Sequence, residues 1–350
     1  MTGFRPLEQV TVSYLGPAGI ASTATARADA TGTFALRRQT SKDSVGTWNL
    51  RLRGDAGTRR DVMYDLAELE IATERVVSEG TTYHRYRTPE ANVYLDPALP
   101  AADAVVIAQF HRDAETIVLR DLDFQLNVST DFYLVPNPEA LAREVRAGGG
   151  DLAGYEAGLS LLNFKRAGVY LDMSSSPLPG FAHIVAHEFT HQVQGRIEGN
   201  RTSPTWFREG HAEYEGFKFG IAQSGDYERS VRRHARSIAR KAALDNTWRP
   251  LESIGAFDVW ETADTPTAEL LYAEAFATVD YVARTFGEQA LRPLLDGLAD
   301  APNDIDSVFR RLFNLTSLQL QDRVRQDVAA KDAYEQSIDA LVAWAKLMLA

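Results

Sequence analysis

His187-Glu188-Phe189-Thr190-His191 joins two residues that hold metal ions to one that can move a proton. A spacing of four puts His187 and His191 on one face of a helix, so both imidazoles reach a single ion. Glu188 lies beside that pair, where it can touch a water on the metal without ligating the metal itself. The chemistry this predicts is a zinc site with its general base built in. Phe181, Ile184, Val185, Phe189 and Val193 form an apolar stripe at helical spacing, which predicts that the motif rides on a buried helix. Pro179 and Gly180 mark its expected start and Gly195 its expected end.

Catalytic zinc takes three protein ligands and leaves a fourth position to water. A third His in the register H-E-x-x-H-x-x-G-x-x-H would need Gly at 194 and His at 197, where the chain has Gln194 and Ile197. The other option is a Glu from a second helix. Pro204 opens the segment Thr205-Trp206-Phe207-Arg208-Glu209-Gly210-His211-Ala212-Glu213-Tyr214, and Glu209 follows His191 by 18 positions. That is room for one helix to end, a loop to turn and a second helix to return antiparallel.

The motifs HEFTH, WFREGHAEY and AELLYAEAFATVDYVARTFG together resemble the peptidase-MA-like branch of the gluzincin zinc metallopeptidases, across residues 90–300. Thermolysin and the zinc aminopeptidases are more distant members of that group. The first two motifs are specific; the third is looser, and its spacing varies within the family. The resemblance implies one Zn2+ per chain held by His187, His191 and Glu209, with Glu188 as general base. It also puts Tyr272 in the place of the tyrosine that stabilises the oxyanion. A zincin-like α+β fold is implied, with a small mixed sheet followed by a helical half. In such folds an edge strand pairs with extended substrate, and the resemblance suggests Gly168–Asp172 as that edge.

Neighbouring residues have plainer readings as well. His183 continues the four-residue series, but about 12 Å of helical rise separates it from His191, too far to share an ion. It is expected on the helix surface or behind a ligand. His211 falls on the opposite side of its helix from Glu209 and reads as structural. Glu213 shares the face of Glu209, one turn on, where it can orient a ligating imidazole through the ring's other nitrogen; pairing with Arg208 or Lys218 is the alternative. Tyr272 lies among Leu270, Leu271, Ala275, Phe276 and Val279, so a core role stands beside the catalytic one.

The elements that must position these residues divide the chain in two. Residues 1–78 alternate apolar and polar in short runs, as in Val10-Thr11-Val12, 32–36 and 46–52, and resemble a small Ig-like β-sandwich module, too short for a full one. From 79 to 350 the pattern is that of the peptidase-like domain: an α/β subdomain over 79–197 that ends in the HEFTH helix, then a helical subdomain over 198–350. Strands are expected at 92–95, 131–135 and 168–172 and a helix at 101–121, with a loop at Gly148-Gly149-Gly150.

With 45% hydrophobic residues, 350 residues can bury a sizeable core in two domains. No run nears 18 apolar residues, so no transmembrane segment is expected. A net charge of −11, from 37 basic and 48 acidic residues, argues against a nucleic-acid partner. The cluster Arg229, Arg232, Arg233, Arg236, Arg240 and Lys241 reads as a solvated helix face. With no cysteine, disulfides and thiolate chemistry are excluded. The N-terminus has no signal-peptide pattern, which says cytoplasmic if that end is native. The surface-protein character of the β module points instead to an extracytoplasmic protein whose leader is absent.

The function expected is zinc-dependent hydrolysis of a peptide or protein substrate. Endopeptidase action is favoured over aminopeptidase action, because no acidic amine-anchoring motif lies near Gly168. Two alternatives stand: an adhesion or scaffold protein that keeps a zinc site, and a zinc hydrolase of a non-peptide substrate. Glu188 argues against the scaffold, since a structural site closes its fourth position and needs no base. Oligomeric state is not legible.

Overall fold

A computed structural model describes residues 4–15, 21–29, 32, 46–66, 73–78, 80–152, 157–162, 165–177 and 180–330. The chain is mixed α+β with a helical C-terminal half, and it divides into two compact units, Met1–Glu70 and Ile71–Ala350.

In the first unit β1 (Gln9–Leu15), β2 (Ala21–Arg27), β3 (Gly46–Gly54) and β4 (Arg59–Leu66) form an antiparallel sheet in the order β2-β1-β3-β4. Alternation brings Val10, Val12 and Tyr14 of β1 to the same face as Leu50 and Leu52 of β3, with Val12 opposite Leu52. The second layer of a sandwich is not among the described strands, and of the strand expected at 32–36 only Gly32 is described.

The second unit carries a six-stranded mixed sheet of β5 (Glu74–Ser78), β6 (Thr81–Arg87), β7 (Ala91–Leu95), β8 (Thr130–Val135), β9 (Gly158–Leu161) and β10 (Gly168–Asp172), ordered β5-β6-β7-β8-β10-β9. The change of unit therefore comes before β5, not after residue 78: β5 makes an antiparallel pair with β6, Val76 opposite the buried Tyr83. Helix α1 (Ala101–Asp121) crosses between β7 and the parallel β8. Helix α2 (Pro138–Gly148) starts where the Asn137 side chain accepts from the Ala140 N–H.

β10 is not the sheet edge. It lies between β8, parallel to it, and β9, antiparallel to it, and every one of its residues is buried. A short apolar run covered on both faces belongs inside a sheet. The edge is β9, and among the described strands nothing pairs with its outer side.

The remainder is helical: α3 (Phe181–Glu198), α4 (Thr205–Ser224), α5 (Asp226–Leu244), α6 (Phe257–Glu261), α7 (Thr265–Phe286), α8 (Leu291–Asp300), α9 (Ile305–Phe313) and α10 (Ser317–Ala329). Phe189 and Val193 of α3, Trp206 and Phe207 of α4 and Leu271 and Val279 of α7 meet in its core. Gly195 does not end α3. It sits inside the helix against Leu162, and the helix stops at Gly199, whose φ of 64° suits a residue without Cβ. Pro179 lies outside the described residues. No described helix is long and apolar enough to cross a membrane.

Candidate metal centre

Helices α3 and α4 run antiparallel, since Gln194 reaches Arg208 at one end of the pair while His183 reaches Glu213 at the other. Between them three atoms converge. His187 Nε2 and His191 Nε2 are 3.2 Å apart, and Glu209 Oε2 lies 3.5 Å from the first and 3.3 Å from the second. Ligands held 2.0–2.1 Å from one tetrahedral ion lie roughly 3.3 Å from one another, so this triangle has the dimensions of a metal site. With both Nε2 atoms unprotonated, these two nitrogens and the carboxylate oxygen could together hold a cation.

The ring nitrogens facing away support the same reading. His191 Nδ1 lies 2.9 Å from Gln194 Oε1, a pure acceptor, so the proton belongs on Nδ1 and the Nε2 lone pair faces the triangle. His187 Nδ1 lies 3.1 Å from Glu213 Oε1, close enough for a strong electrostatic hold although off the ideal hydrogen-bond direction. Burial works against a charged His187, but Glu209 and Glu213 outweigh it and raise its pKa well above the usual value. Burial likewise pushes the Glu209 and Glu213 carboxyls up. The imidazoles beside them win, and both acids are held far below the usual carboxylate range. His183, gripped by Glu213 and Glu228, is raised to about 9 against the opposing effect of burial.

Glu188 is 6% exposed and projects from α3 beside the triangle, under β9. Burial raises its pKa, with Glu209 and Glu213 adding to the rise and the two imidazoles opposing it. A Cβ at Gly158 of β9 would come within 3.2 Å of Glu188 Cγ, 3.0 Å of Leu171 and 3.1 Å of Ile184, which explains a glycine at this point of the strand. A cleft of about 410 Å³ opens over these residues. β9 forms part of one wall, and Trp260 of α6 and Tyr272 of α7 contribute to another. The Tyr272 ring centroid is 6.2 Å from that of His187 and packs edge-on against Trp260 at 5.1 Å.

The structure therefore brings His187, Glu188, His191, Glu209 and Tyr272 to one cleft and sets Glu213 behind His187. Glu213 pairs with His183 and His187, not with Arg208, which approaches Glu198, or Lys218, which binds Asp121 and Glu288. His211 is fully buried, and its Nδ1 faces the Gln194 amide nitrogen at 3.4 Å. Gln194 was not expected to have a role; its position one turn after His191 was the available signal. Glu228 is likewise new to the site and carried no motif.

No protein-family model matches the chain, and no curated protein matches it. Among solved structures, a structure of yeast LTA4 hydrolase in complex with bestatin is similar at a TM-score of 0.38 and 14% identity. The match covers 64% of this chain and 35% of that one, so the chain spans about a third of that protein's length.

Proposed function

We propose that the protein is a zinc-dependent hydrolase of peptide bonds, with His187, His191 and Glu209 holding the metal and Glu188 acting as general base. The observation that carries this reading is the near-equilateral triangle of ligand atoms with a buried carboxylate beside it on the same helix. When bound there, zinc acidifies water and polarises a carbonyl. Glu188 takes the proton as water adds to the scissile carbonyl, and hands it to the amine nitrogen as the C–N bond breaks. Tyr272 lines the same cleft, and its hydroxyl would serve as a donor to the developing oxyanion. β9 takes the part expected of Gly168–Asp172: its outer edge can pair with an extended peptide laid along the cleft. A cleft lined along a strand edge suits internal bonds, which favours endopeptidase over aminopeptidase action.

The test is Glu188→Gln, which fills the same space but cannot accept the proton. Zinc content and Tm should match the parent while turnover of a general protein substrate falls on the order of 10²–10⁴-fold. Parental turnover would remove Glu188 as base and favour a zinc-bearing scaffold. Cleavage of blocked as well as unblocked short peptides is the expected mark of an endopeptidase.

A further inference from the structure

We infer that His183 and Glu228 form a positioning arm for the ligand His187: they hold the Glu213 carboxylate against His187 Nδ1 and so set metal affinity, Glu228 acting from α5, a helix that supplies no ligand. The inference rests on reading the triangle as the metal site.

The arm is continuous. Glu228 Oε1 of α5 lies 2.7 Å from His183 Nδ1, His183 Nε2 lies 3.4 Å from Glu213 Oε1, and that same oxygen lies 3.1 Å from His187 Nδ1. Glu228 is 1% exposed, a position a carboxylate occupies only with a charged or hydrogen-bonding partner, and His183 is that partner. Helix α4 makes room for the arm. A Cβ at Gly216 would lie 2.8 Å from His183 Nε2, and one at Gly220 would lie 2.6 Å from Glu228 Cγ. Each of these mid-helix glycines destabilises the helix relative to alanine. Phe217 closes the site from the side, its ring edge-on to His183 at 4.6 Å.

Glu213 alone is a flexible acid that can swing away from His187 about its side-chain torsions. With His183 behind it, the carboxylate is fixed between two rings, and the His187 imidazole keeps both its tautomer and its orientation. A cation bound among His183, His187 and Glu213 is geometrically conceivable, since their ligand atoms lie within 4.8 Å of one another. It would need the His187 nitrogen that holds the proton while Nε2 serves the triangle, so the arm, with Glu213 Oε1 held 3.1 Å from His187 Nδ1, is the consistent reading.

The experiment uses the full chain, with zinc affinity measured by competition with a chromophoric chelator, the cobalt(II) absorption spectrum, and the Tm of metal-free protein. In His183→Gln the amide nitrogen takes the place of Nε2 and can still donate to Glu213. In His183→Asn it takes the place of Nδ1 and reaches only Glu228. His183→Asn should lose zinc affinity about 10-fold or more and shift the cobalt bands, while His183→Gln stays within about 3-fold of the parent, at similar metal-free Tm. Equal affinities for both variants and the parent would overturn the inference, as would equal losses in both tracking a fall in metal-free Tm. Should His183→Asn not fold, His183→Ala replaces it, since it too removes the donor to Glu213, and parental affinity and spectrum there count against the arm. If the parent binds no zinc and Glu209→Ala changes nothing, the metal-site reading itself fails, an outcome distinct from the others.

Discussion

Glu209 and Glu213 sit one helical turn apart on α4 and face different imidazole nitrogens, which gives them different work. Removing the Glu209 carboxylate deletes a corner of the triangle, so Glu209→Ala and His191→Ala should each lose most bound zinc by metal analysis, and full occupancy in both would reject the ligand set. Tyr272→Phe deletes one hydroxyl. A donor to the oxyanion predicts turnover down about 10²-fold with zinc content and Tm unchanged; a core tyrosine predicts unchanged turnover. Glu274, two residues along α7, is fully buried, and burial raises its pKa to about 8 against the opposing Arg249 N–H and charge. The folded protein holds that proton more tightly than the unfolded chain, so stability should fall as pH rises from the ordinary carboxyl range towards 8. Glu274→Gln should flatten that fall and raise Tm at pH 8 but not at pH 4; parallel pH profiles for the two proteins would contradict it. The meeting of His187 and His191 was legible because four-residue spacing on a helix determines which side chains meet. Gln194 and Glu228 were not, because their roles depend on where α3 truly ends and on how α5 packs.

β9 and β10 show where legibility stops at the level of elements. A run such as Gly168–Asp172 reads as a strand in any context, but with no alternation it does not say which side is open. β9 has only four residues and was missed entirely, although it is the strand against the cleft. Helix α1 was read with its observed bounds, and α3 was read one turn short because Gly195 looked like a stop signal. The closeness of β9 to α3 gives a direct test. Gly158→Val should crowd Leu171, Ile184 and Glu188 and displace the base, lowering turnover on the order of 10-fold or more while zinc affinity stays near parental. Loss of zinc in step with turnover would instead mean that the strand supports the ligands.

At the scale of the whole molecule, the α+β class and the helical C-terminal half were readable from the switch in hydrophobic period, while the exact change of unit was not, because β5 looks like any short strand. Two compact units, one of them with the candidate metal site, predict that heat unfolding is not a single two-state event. Zinc at 1,000 times its Kd should stabilise its own unit by about 4 kcal/mol. Chelation should therefore lower one calorimetric transition by several degrees and leave the other in place; equal shifts in both would show that the units unfold together. The sheet ends at the cleft, and that has a consequence for any protein substrate. A peptide can lie along β9 only as an extended strand, a shape that segments inside a folded domain do not present. Cleavage of a stable protein would then wait on that protein's own local opening, and its rate would report the free energy of that opening. Two substrates with identical target sequences, one in a frayed terminus and one in a core helix, should differ in half-life by the ratio of their open populations.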